Sequence, residues 1–167
     1  IVHRSGACVC LDASGGLGHI AADVAMDMAI AEARTQGIAC ITARNGNHIG
    51  ACGLYTRKAA QADTIGLCMT LTRAVMAPSG GKTPLLGNNP LSISAPVEGK
   101  PPFLLDISTS IVAMGQVLKA MDMNQPIPDS WAIDRAGNPT TDPAMAFSGS
   151  LNPIGGHKGY GLAVGEI

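Results

Sequence analysis

The sequence predicts an α/β fold, a mixed sheet with flanking helices, and three observations carry that prediction. Short apolar runs of strand length alternate with stretches in which apolar residues return at helical spacing. Hydrophobic residues make up 46% and charged residues 14% of the 167 residues, enough to bury a core in one domain and too apolar for disorder. Twenty-one glycines and eleven prolines punctuate these runs, so turns are frequent and elements short.

In chain order, Ala7 to Leu11 reads as a strand and Asp12 to Gly18 as a glycine-rich loop. His19 to Gln36 reads as a helix, with Ile20, Val24, Met28 and Ala31 near helical period and Gly37 as its stop. Ile38 to Ala43 is a second strand, residues 50–62 a second helix, and Ile65 to Leu71 a buried strand. Residues 73–89 are turn-rich, around Pro78-Ser79-Gly80-Gly81 and Gly87-Asn88-Asn89-Pro90. Leu91 to Ala95 and Phe103 to Ile107 are strands, and Ser108 to Asp122 a helix. Residues 126–143 are irregular, and the last residues, from Tyr160, open another helix.

Composition excludes several classes. A net charge of −1 with no block of like charges disfavours nucleic acid and acidic membrane surfaces, and 3% aromatics leave little for base stacking. No apolar run reaches the roughly 18 residues of a membrane span, and no signal-peptide pattern opens the chain. The five cysteines, Cys8, Cys10, Cys40, Cys52 and Cys68, contain no C-x-x-C. They read as reduced, buried small hydrophobes rather than zinc ligands, with Cys40 and Cys68 inside strands, and they place the protein in the cytoplasm. No metal is expected.

Chemistry concentrates in four segments. Asn45-Gly46-Asn47-His48-Ile49-Gly50 puts a histidine on a tight loop after a strand. Glycine allows close approach to a ligand, and imidazole exchanges a proton near neutral pH. Gly87-Asn88-Asn89-Pro90 is a polar turn before a strand. Asp106 ends an apolar strand, where a carboxylate can accept from ribose hydroxyls, and Ser108, Thr109 and Ser110 add hydroxyls and, at a helix start, free N–H groups. Lys158, between glycines, can reach a phosphate or carboxylate. Two other motifs compete. Gly16-x-Gly18-x-x-Ala21 matches a dinucleotide-binding fingerprint, but Asp12 to Gly15 separate it from the strand, and the second strand ends in Arg44-Asn45 rather than an acid. Gly80-Gly81-Lys82-Thr83 lacks the first glycine of a phosphate loop, Met76 standing there, and reads as a turn.

The order and wording of these segments resemble the malate/L-lactate dehydrogenase family, which includes ureidoglycolate and sulfolactate dehydrogenases and Δ1-piperideine-2-carboxylate reductase and is distinct from the Rossmann-type lactate and malate dehydrogenases. The resemblance runs through GLGH at Gly16 to His19, RNGNHIGACG at Arg44 to Gly53, LLGNNPLSISAP at Leu85 to Pro96 and LDISTS at Leu105 to Ser110. It continues through IPDSWAIDRAGNPTTDP at Ile127 to Pro143 and GGHKGYGL at Gly155 to Leu162. It implies a non-Rossmann nicotinamide-binding fold, incomplete at both ends. Residues 1–44 are then a strand-helix-strand segment of a substrate and dimer domain, and 45–167 part of the cofactor domain. It further implies that His48 exchanges the substrate proton, that Asn88 faces substrate, and that Ile49, Gly50, Ala51, Thr72, Asp106, Ile107, Ser108, Lys158 and Gly159 contact NAD or NADP.

This sequence departs from the family at three of these places. Asn88 stands where the family has threonine, Ile49 where it has phenylalanine, and Gln116 where the reductase branch has an acid. The family's Ser-His-Gly segment and its substrate-binding arginine are not in the chain, which we expect to be roughly half of a member. The resemblance thus implies hydride transfer between NAD(P)H and a 2-oxo or 2-hydroxy acid (malate, lactate, ureidoglycolate or similar) by a homodimer. The alternatives are a non-catalytic, dimer-forming fragment and a Rossmann-type NADP module built on Gly16 and Gly18.

Overall fold

The computed structural model describes residues 2–167. The chain divides into two units: Ile1–Cys68 with Ser92–Asp106, and Met69–Leu91 with Ile107–Ile167. The elements, in order, are β1 (His3–Ser5), β2 (Cys8–Asp12), α1 (Gly18–Gln36), β3 (Cys40–Arg44), α2 (Gly53–Gln61), β4 (Gly66–Met69), β5 (Pro90–Ala95), β6 (Phe103–Ser108), α3 (Met114–Asp122), β7 (Ala132–Ile133), α4 (Pro143–Ser148), β8 (Ser150–Leu151) and α5 (His157–Gly165).

In the first unit, β1 and β2 are antiparallel, while β2 and β3 are parallel, with Asp12 opposite Arg44. The helix between β2 and β3 makes this a β-α-β unit, the crossover that a parallel pair requires. Helix α1 ends where the sequence says it should: Gly37 takes φ 82° and its N–H donates to the Ala33 carbonyl at 2.8 Å. The residues whose period marks α1 are not the ones that form its buried face. Ile20 and Val24 are exposed, whereas Met26 is buried against Tyr55 and Ala59 of α2, with Ala22, Ala29 and Ile30 alongside. In an alanine-rich helix two apolar stripes compete, and the face opposite α2 loses. Lys58 of α2 bridges Asp23 and Asp27 of α1, at 2.7 Å each, and these carboxylates hold its ammonium above the ordinary lysine range.

A second sheet runs in the order β4-β5-β6. Beneath α2 it presents hydroxyls that satisfy one another. Thr56 and Ser92 lie 2.7 Å apart, Ser92 donates to the Leu105 carbonyl and Ser94 to that of Phe103. The buried-cysteine reading fails for Cys8 and Cys40, which are exposed. They are register partners on β2 and β3, and β3 is an edge strand with only Ile41 half-buried.

In the second unit, Val75, Val112, Val117, Ile127, Ala132, Ala146 and Leu151 form the core. Strands β7 and β8 pair antiparallel, and the buried Ala77 N–H donates to Ser150 Oγ at 2.7 Å. Two sequence expectations need correction here. The third helix starts at Met114, not Ser108, because Ser108 and Ser110 direct their hydroxyls to nearby backbone carbonyls instead of opening a helix. Past residue 142, a helix went unread: Asp142 accepts from the Ala144 and Met145 N–H groups, with Pro143 in the first turn. No helix among the described residues is long and apolar enough to cross a membrane.

Candidate active site

The loop carrying His48 is fixed through the side chains of its asparagines and through its main chain. Asp12, at the end of β2, is the first anchor. It accepts from the Ser14 N–H at 2.8 Å, from Asn45 Nδ2 at 3.2 and 3.1 Å, and from Arg44 Nε at 3.2 Å. These donors, the Ser14 amide first, hold its carboxyl below the usual 3.8. Asn47 is the second anchor, its Nδ2 donating to the Gly15 and Gly16 carbonyls at 2.8 and 3.0 Å. Gly18 is the third. A Cβ there would stand 2.0 Å from the Asn47 carbonyl oxygen and 2.6 Å from that of His48, so only glycine lets the loop rest on the start of α1. Tyr55 OH then donates to the Ile49 carbonyl, and Ile49 packs on the Met26–Tyr55–Ala59 cluster.

The fingerprint-like glycines are therefore spoken for. Gly16 and Gly18 do lie in a β-α-β turn, but the space a phosphate would need is filled by Asn47 and the His48 backbone, and Arg44 is paired with Asp12. The His48 side chain itself is exposed and makes no hydrogen bond among the described residues. Its neighbour is His19, with ring centroids 5.9 Å apart at an interplanar angle of 85°. Gly50 takes φ 75° as the loop turns toward α2, and Ala51 is exposed. In the same unit Asp106, near the end of β6, accepts from the Gly53 N–H at the start of α2 at 2.8 Å through Oδ2.

The second unit joins two of the remaining candidates, Thr72 and Asn88, in one polar knot. Thr72 Oγ1 donates to Asn88 Oδ1 at 2.9 Å, and the Thr72 N–H to Asn89 Oδ1 at 3.1 Å. Asn89, 2% exposed, donates onward to the Ala163 carbonyl in α5 at 3.0 Å. The Thr109 N–H reaches the Asn88 carbonyl, and the Thr109 carbonyl accepts from the Ile154 N–H. Gly87 makes the knot possible, since a Cβ there would fall 2.2 Å from Thr72 Oγ1. Gly159 is buried and its N–H donates to Ile154, while Lys158 beside it is exposed with no ion pair among the described residues. Ile107 and Ser108 are half-buried.

Three residues outside the sequence-based candidates thus shape the site: His19, Gly18 and Asn89. The signal for Asn89 is its place between Asn88 and Pro90 in a turn, which in sequence cannot be told from any polar turn. Gly18 is visible in the sequence only as part of a dinucleotide-like motif that the intervening Asp12 to Gly15 argue against.

The profile of the malate/L-lactate dehydrogenase family matches residues 1–165. L-Sulfolactate dehydrogenase of Methanocaldococcus jannaschii is 42% identical over 164 residues, covering 98% of this chain and 47% of that protein. Its solved structure superimposes with a TM-score of 0.88 at 41% identity, covering 99% of this chain and 48% of that one. (2R)-3-Sulfolactate dehydrogenase (NADP(+)) of Chromohalobacter salexigens is 36% identical over 98% of this chain and 49% of its own length. Ureidoglycolate dehydrogenase (NAD(+)) of Escherichia coli K12 is 39% identical over 91% of this chain and 43% of its own. The chain spans about half the length of the curated relatives it matches. It belongs to the malate/L-lactate dehydrogenase family.

Proposed function

We propose that the protein containing this chain catalyses reversible hydride transfer between NAD or NADP and a 2-oxo acid or its 2-hydroxy counterpart. The observation that supports this most is the His48 loop: an exposed imidazole with no hydrogen bond among the described residues, on a loop anchored by Asp12, Asn47, Gly18 and Tyr55. A proton-exchanging group needs that combination, a fixed position and an unspent side chain.

The residues present fit a nicotinamide dinucleotide. Asp106 is an exposed carboxylate that can accept from a ribose hydroxyl, and Lys158 is an exposed ammonium with no ion pair among the described residues, suited to a phosphate. Ile49, Gly50, Ala51, Thr72, Ile107, Ser108 and Gly159 are assigned to cofactor contact on the family pattern. When bound, the nicotinamide supplies the hydride to the 2-oxo carbon or takes it back from the 2-hydroxy carbon. His48 gives a proton to the substrate oxygen in reduction and removes it in oxidation, help worth about 10²–10⁴-fold. Asn88 has its oxygen occupied by Thr72, which leaves its amide N–H groups to donate to substrate.

On the same reading, residues 1–44 belong to a substrate and dimer domain and 45–167 to the cofactor domain, and the protein is a cytoplasmic homodimer. The exposed Ile20, Val24, Leu67 and Phe103 support further apolar cover. The test is the complete protein with NADH and NADPH, titrated against a panel of 2-oxo acids. Oxidation of one cofactor with at least one acid is expected, with Lys158→Ala and Asp106→Asn each weakening cofactor binding. No oxidation with any acid, or binding untouched by both substitutions, would overturn the reading.

A further inference from the structure

The His48 side chain is held by nothing that has been given a role. Its loop is anchored four ways, yet the ring is exposed and has no hydrogen bond among the described residues. A free ring on a fixed backbone still rotates about two side-chain torsions, and the χ2 torsion of histidine is broad. Proton transfer needs a donor nitrogen aimed within hydrogen-bond reach of the substrate oxygen. Something must narrow that rotation.

We infer that His19 is a positioning residue for His48. The inference rests on the proposed role of His48 as proton donor. His19 is the second residue of α1, so its Cα is fixed by the helix. Its ring meets that of His48 at 85°, edge to face, with centroids 5.9 Å apart. The ring is placed from the other side as well: a Cβ on Gly50 would lie 2.8 Å from His19 Nε2, so His19 fills the concave side of the loop where Gly50 turns. Gly18, directly before it, carries the Asn47 and His48 carbonyls. Helix, loop and ring thus form one seat: Gly18 supports the backbone of His48, and His19 backs its side chain. No hydrogen bond joins the rings, so His19 acts by its aromatic edge and volume, not by relaying a proton.

The consequence is specific. Removing the ring leaves His48 present and its backbone anchored, but with a wider spread of orientations. The reacting step slows while binding is spared, since a small misplacement of a reacting group alone can cost up to about 10²-fold. The test uses the complete protein, with kcat, KM and cofactor affinity measured for wild type, His19→Ala, His19→Phe, His19→Leu and His48→Ala. The expected result is a fall in kcat of roughly 10- to 100-fold in His19→Ala, with KM and cofactor affinity changed less than about threefold. His19→Phe keeps the aromatic edge and restores most of kcat. His19→Leu fills similar space without that edge, remains folded by thermal unfolding, and stays slow.

A kcat within twofold of wild type in both His19→Ala and His19→Leu overturns the inference. So does His19→Phe being as slow as His19→Ala, which would assign the effect to the ring nitrogens. Full activity in His48→Ala removes the proton-donor reading and this inference with it. An inactive His48→Ala beside a fully active His19→Ala removes only the inference.

Discussion

The His48 loop and the Asn88–Asn89 knot are both polar turns next to strands, and they are built in opposite ways. In the loop the histidine's neighbours carry the bonds: Asn45 donates to Asp12, Asn47 to the Gly15 and Gly16 carbonyls, Tyr55 to the Ile49 carbonyl, Gly18 lies against it, and the histidine ring makes no hydrogen bond among the described residues. In the knot the side chains are consumed, because Thr72, Asn88 and Asn89 bond to one another and to α5. A group proposed to react must be fixed in place yet keep its own valences, so its fixing falls to its neighbours. A binding surface needs only shape and rigidity, and buried side-chain networks supply both when every member is satisfied. The exposed Lys158 ammonium stands on the second kind of support.

Substitutions can break either side of that contrast. The largest effect is expected at Gly18→Ala, where the new methyl meets two main-chain carbonyls that cannot rotate away. We expect a loss of about 3 kcal/mol, the upper part of the overpacking range, by urea unfolding, together with a lower kcat because the His48 loop moves. Next is Asn89→Ala. It strips the Thr72 N–H and the Ala163 carbonyl of their partner in a buried setting, and roughly 1–3 kcal/mol should be lost in the same measurement. If the contrast holds, it weakens cofactor affinity with less effect on the rate at saturation.

Asp12→Asn should act more mildly and through pH. Asp12 titrates below its ordinary 3.8 in the fold, so its contribution is complete above that value and is lost as pH falls through the lowered one. Acid unfolding of wild type should therefore gain a component below pH 3.8 that Asp12→Asn lacks. The smallest effect is expected at Thr109→Val. The Thr109 hydroxyl is buried with no hydrogen-bond partner, so removing it should shift stability by less than about 1 kcal/mol. A large loss there would show that the knot depends on a bond the structure does not contain.

Element order was legible in the sequence because strand and helix periods differ and because Gly37 and the glycine-proline turns mark boundaries. His48 stands out in the sequence only in company: a loop histidine beside Asn47 can simply pack, and its place ahead of Asp106 and Lys158 in the family's order is what marks it as a candidate. What stayed hidden depends on partners distant in sequence. The buried face of α1 is set by Tyr55 and Ala59 in α2, so Ile20 and Val24 could not be told from Met26 and Ile30. Cys40 reads as core until β3 is known to lie at an edge. Gly16 and Gly18 look like a phosphate cradle until the His48 loop is seen to occupy it. Helix α4 is the exception: Asp142-Pro143 is a local start signal that went unread.

The central claim is that His48 exchanges the substrate proton. Its most direct test is the rate of NAD(P)H oxidation by the complete protein at saturating cofactor and 2-oxo acid, wild type against His48→Ala, with cofactor affinity measured alongside. The account predicts a fall of about 10²–10⁴-fold at unchanged cofactor affinity. Equal rates in the two proteins would contradict it.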